Sequence, residues 1–136
     1  MNNAPMSTEI LMLACAVALV LLQIVLQASA GAMFLKLGYL MGPRDENRDV
    51  ENVYVGRINR ALHNVLETFP LFAALALALA VTGRTGGYAA LGAQLYVWSR
   101  TIYVPVYVLG IPVLRTIVWA VSMAGIVMML VALLAK

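Results

Sequence analysis

Arg57 heads a polar row at helical spacing that continues through three residues, Arg60, Asn64 and Glu67. Residues three and four apart share one face of an α-helix, so the three form a stripe. The stripe runs directly into residues 69–81, an apolar run too short to cross a bilayer unaided, since a spanning helix takes about 20 residues. The spanning helix must reach back to about Ala61, which puts Asn64 and Glu67 at membrane depth. An ionisable group there is costly and marks a functional site by default. A second row follows. Arg100, Tyr103 and Tyr107 stand at i, i+3 and i+7, Tyr96 lies one turn earlier, and Arg115 opens the next apolar stretch. Arginine forks grip carboxylates in bidentate fashion, and Glu67 suits an amine. The expected ligand is therefore small, with more than one carboxylate and one amine.

A plainer reading uses the same residues. Arg and Tyr near helix ends snorkel to the interface as anchors, and Glu67 can pair with Arg100. Anchoring, however, does not require Asn64 and Glu67 on the stripe that carries Arg60.

The elements that must position these side chains follow from composition. The 136 residues are 63% hydrophobic and 11% charged, against roughly 25% charged in soluble domains. The expected fold is all-α and integral to the membrane: one domain over 1–136, with spanning helices at about 10–36, 57–81, 88–107 and 114–134. Polar or Gly-rich links at 38–52, 82–87 and 110–112 join them. Pro105 should kink or end the third helix. Ala73, Ala76 and Ala80 offer a small-residue face for close packing, and the methionines of the fourth helix read as gap fillers. Cys15 reads as packing within an apolar helix.

Ala28-Ser29-Ala30 matches a signal-peptidase pattern. The first nine residues, however, hold Glu9 and no Lys or Arg, and the apolar run exceeds the usual length, so the segment reads as a retained helix. Lys36, Arg44, Arg48, Arg57 and Arg60 crowd the first loop and its flanks, and Arg115 abuts the third link. The opposite side has only Arg84 and Lys136. Positive residues stay inside, so loops one and three are expected to be cytoplasmic. The net charge of +3 reflects this asymmetry, and neither nucleic acid nor a metal is an expected partner.

The segment Arg57-Ile-Asn-Arg60-Ala-Leu-His-Asn64-Val-Leu-Glu67-Thr-Phe-Pro70 resembles the second-helix motif of the MAPEG family, the membrane-associated proteins of eicosanoid and glutathione metabolism. Tyr96-Val-Trp-Ser-Arg100-Thr-Ile-Tyr103-Val-Pro-Val-Tyr107 is similar to that family's third helix, and Arg115 to the arginine that follows it. Thr68 after Glu67 looks like the prostaglandin E synthase or bacterial branches, where the leukotriene-forming branch has a tyrosine.

The resemblance implies a homotrimer in a bacterial inner membrane, with glutathione at subunit interfaces near the cytosolic face. Arg60, Asn64 and Glu67 would bind glutathione from one subunit, and Arg100, Tyr103 and Tyr107 from its neighbour. Lys36 or Arg44 could add a contact to a glutathione carboxylate. Arg115 would be the catalytic arginine that stabilises the thiolate. A thiol of pKa near about 8.5 is mostly unreactive at neutral pH, and lowering it two units takes roughly 2.7 kcal/mol. The implied activity is glutathione transfer to lipophilic electrophiles, with peroxide reduction beside it. The alternative is a non-catalytic lipid-binding or partner-presenting member of the family. A small multidrug exporter is disfavoured because the first helix carries no charge between Ile10 and Leu35.

Overall fold

The computed structural model describes residues 5–34, Gly42 and residues 52–135. Four helices account for nearly all of them: α1 (Thr8–Phe34), α2 (Val53–Val81), α3 (Gly87–Leu109) and α4 (Pro112–Leu134). The first-loop basic residues, Lys36, Arg44 and Arg48, lie outside the described residues.

Local chemistry sets the helix ends. Asn52 caps α2, its Oδ1 accepting from the backbone N–H of Tyr54 at 2.9 Å and Val55 at 3.3 Å, which satisfies donors that have no partner inside the helix. This cap starts α2 at Val53, earlier than the position near 57 expected from the polar stripe. Pro112 at the first position of α4 gives up an N–H that the helix could not use. Gly110 ends α3 at φ +76°, a left-handed conformation that costs glycine little.

Three helices (α1, α2 and α4) are long and apolar enough to cross a membrane. The third falls short on composition because it carries Gln94, Ser99, Arg100 and its tyrosines. Its 23 residues nonetheless reach about 35 Å at 1.5 Å per residue, and it must link the far end of α2 to the near end of α4. Four of its polar side chains turn inward, Tyr96, Ser99, Arg100 and Tyr103 all being buried, while Gln94 and Tyr88 are exposed. Lipid cannot satisfy such groups, so they face protein. Pro105 does not end α3, which continues to Leu109.

The core lies on the side away from the stripe's charges, where Phe72, Ala76, Leu79, Ala93, Tyr96 and Met129 are fully buried. Ala76 belongs to it, whereas Ala73 and Ala80 are only half-buried. The closest helix approach is between α3 and α4. A Cβ added to Gly125 would lie 2.6 Å from the Gly92 carbonyl oxygen, and one added to Gly92 would lie 2.6 Å from that of Gly125. Cys15, expected as packing, is exposed on α1, because the buried side of that helix is taken by Met12, Leu13 and Ala16.

The bundle's two ends are tied by side chains from other helices and from the α2–α3 link. The buried Glu9 carboxylate accepts from the Gly86 N–H at 2.7 Å, placing an anion at the start of α3. Arg84 donates to the carbonyls of Leu133 and Ala135, each at 2.6 Å, placing a cation at the end of α4. At the opposite end Arg57 donates to the Val108 carbonyl at 2.9 Å.

The glycine contact makes a sharp comparison. Gly125→Ala should destabilise the detergent-solubilised protein by about 1–3 kcal/mol, since backbone must move to admit the methyl. Gly31→Ala, with no atom within 4 Å of the added carbon, should be neutral or stabilising by up to about 1 kcal/mol. Thermal or denaturant unfolding of the two variants side by side tests the assignment.

Candidate functional site

At the bundle end where α2 begins, α3 ends and α4 begins, the helices part around a cavity of about 370 Å³, within the range of small-molecule sites. From α2 it is lined by Arg60, His63, Asn64 and Glu67, from α3 by Tyr103 and Tyr107, and from α4 by Arg115, Thr116 and Trp119. Six of the seven residues singled out in the sequence thus face one space within a single chain. Within one chain the α3 row already stands opposite α2, where Tyr103 packs against Ala61 and Val118.

Arg100 is the seventh, and it stands behind the wall. It is 1% exposed and donates through Nη1 to Asn64 Oδ1 at 2.5 Å. The anticipated alternative, an Arg100–Glu67 pair, does not form. Glu67 instead meets His63 one turn earlier on α2, Oε1 to Nε2 at 3.4 Å, with both side chains exposed. Arg57, at the head of the stripe, also leaves the cavity for the end of α3.

An aromatic and cationic ladder connects the core to the cavity. Phe72 stacks on Tyr96 with centroids 4.2 Å apart, and the Tyr96 hydroxyl shares a hydrogen bond with Thr68 at 3.0 Å. The Arg100 guanidinium lies 5.6 Å from the Tyr96 ring centre and 5.3 Å from that of Tyr103. Tyr103 tilts against Tyr107 at 5.4 Å, and Arg115 sits 5.0 Å from the Tyr107 ring centre. Each cation faces an electron-rich ring. The Arg115 guanidinium is therefore held from one side by Tyr107 while it lines the cavity.

Chemically the cavity offers two guanidinium groups, one amide, one imidazole, two phenols, a hydroxyl and an indole N–H against a single carboxylate. Such a set suits an anionic ligand with one cationic group. Sequence reasoning did not place His63, Thr116 or Trp119 here. Their signal was spacing alone: His63 precedes Glu67 by four residues, and Trp119 follows Arg115 by four.

The sequence matches the profile of the MAPEG family over residues 12–135. The chain belongs to the MAPEG family. The matched span contains every cavity residue and Arg100, and makes this a multi-pass membrane protein of a family whose roles are broadly glutathione-related. No curated protein matches this MAPEG chain in sequence. Glu9, which ties α1 to the start of α3, precedes the matched span.

The ladder's role in placing Arg115 is testable without any substrate. Tyr107→Phe keeps the ring and should leave Arg115 in place, whereas Tyr107→Leu removes a contact of about 0.5–2 kcal/mol. Phenylglyoxal should then modify Arg115 several-fold faster in Tyr107→Leu than in Tyr107→Phe or the parent chain, read by peptide mass spectrometry.

Proposed function

We propose that this protein is a membrane-bound glutathione transferase that also reduces lipophilic hydroperoxides. The observation that carries the reading is the convergence of Arg60, Asn64, Glu67 and Arg115 on one cavity in a chain of the MAPEG family. Glutathione has two carboxylates, one ammonium and a thiol. Arg60 and the Asn64 amide suit its carboxylate and carbonyl oxygens, and Glu67 suits the ammonium. Arg115 is the catalytic residue, its charge favouring thiolate over thiol from a half-buried position on the lining. The thiolate sulfur then forms a bond to the electrophilic carbon while the leaving group departs with the bonding pair. Trp119 and the apolar helix walls suit the greasy co-substrate, which reaches the site from the bilayer.

The working form in this reading is a homotrimer. In α1, α2 and α4 no more than 28% of the apolar 18-residue stretch is buried within one chain, which leaves wide apolar faces for neighbouring copies as well as for lipid. The cavity opens at the end bearing the Lys/Arg excess, so the proposal places it on the cytoplasmic side of a bacterial inner membrane.

Arg115→Ala should lower glutathione conjugation to a model aryl halide about 100-fold, the equivalent of two pKa units of thiolate stabilisation, and abolish the ultraviolet thiolate absorption seen on adding glutathione. Assembly size in detergent should not change. Undiminished turnover would refute the thiolate role. A parent chain that gives no heat with glutathione in calorimetry would favour a lipid-binding, non-catalytic member of the family.

A further inference from the structure

Arg100 stands against the cavity residue Asn64 without itself lining the cavity. Its guanidinium is 1% exposed, and Nη1 donates to Asn64 Oδ1. Among the described residues its Nε and Nη2 have no hydrogen-bond partner, and the rings of Tyr96 and Tyr103 flank it. Asn64 lines the cavity and Arg100 does not.

A guanidinium can only donate, whereas an amide has one accepting and one donating end. The pairing therefore dictates which end of Asn64 is spoken for: Oδ1 points to Arg100, and Nδ2 is the end left for the cavity. We propose that Arg100 is a positioning residue that locks the Asn64 amide with its NH2 toward the cavity, so that Asn64 acts on the ligand only as a donor. This inference rests on the glutathione reading above and refines it.

The consequence is a selection rule. Arg60, Arg115 and the locked Asn64 can only donate, and Glu67 is the one carboxylate on the lining. The occupant must bring oxygen acceptors, a carboxylate or a peptide carbonyl, to Asn64, and its single cationic group to Glu67. A ligand presenting an amine or hydroxyl donor at Asn64 would leave donors facing donors inside a partly desolvated wall, which is where discrimination is largest. Without Arg100 the amide is free to turn over, and that discrimination is lost.

The test is calorimetric binding of glutathione to the full-length protein in detergent. Asn64→Asp keeps an acceptor for Arg100 but removes the cavity-facing donor. It should weaken glutathione about 30-fold or more while leaving the thermal midpoint unchanged or raised. Arg100→Gln should weaken binding about 5- to 10-fold, and Arg100→Lys, which retains a donor for Oδ1, should recover most of that loss. Because Arg100 acts through Asn64, Asn64→Ala and the double variant Asn64→Ala/Arg100→Gln should bind equally weakly, a non-additive cycle. Additive losses, or Asn64→Asp binding like the parent, would overturn the lock and leave the proposed activity standing. A parent chain without glutathione binding would overturn both. If Arg100→Gln does not fold, Asn64→Asp decides alone, since it keeps Arg100 paired.

Discussion

The arrangement depends on one hydrogen bond between two helices, from Arg100 on α3 to Asn64 on α2. A guanidinium withdrawn from water and lipid loses much solvation, and the loss is tolerable only where fixed polar groups and π faces surround it. Asn64, Tyr96 and Tyr103 supply that surrounding. The same contact marks the register of α2 against α3, because a shift of α2 by one turn would put Arg60 or Ala61, or Glu67 or Thr68, where the amide now stands. Once the register is set, Glu67, Arg60, Tyr103 and Tyr107 follow from helical spacing alone.

The ends of the bundle obey a related rule. A helix terminus in or near lipid has backbone groups that little water can reach. Here the termini are served from other parts of the chain: Glu9 of α1 at the start of α3, Arg84 of the α2–α3 link beside the end of α4, and Arg57 of α2 at the end of α3. Each tie has the sign the helix dipole favours, carboxylate at an N-terminus and guanidinium at a C-terminus. Charges that look idle in a list of residues thus act as clasps between helices.

Much of this was legible in the sequence because membranes simplify the problem. Charge is so costly in lipid that Arg60, Asn64, Glu67, Arg100 and Arg115 had to be either functional or paired, and helical spacing placed them on faces. What spacing does not encode is which side chain meets which across helices. Glu67 was an equally good partner for Arg100 on charge grounds, yet the shorter Asn64 holds that position, and Glu67 turns to His63. Arg57 sits on the same stripe as Arg60 but, one turn nearer the helix end, reaches a carbonyl before it reaches the cavity. The third helix was harder still, since its buried polar groups lower its hydropathy even though it crosses the bundle like the others. Cys15 shows the limit of composition: an apolar helix has an outside as well as an inside, and only packing tells them apart.

Gly92 and Gly125 bring α3 and α4 into backbone contact at one level, while Tyr103, Tyr107, Arg115 and Trp119 crowd between the same helices nearer the other end. Interaxial distance is governed by the side chains at the crossing, so the pair is shaped like a wedge, pinched where the glycines meet and propped wide where the bulky residues stand. The volume of the chamber is then fixed by a seam roughly half a bilayer away. The cavity end inherits its aperture from residues whose whole contribution is to have no side chain.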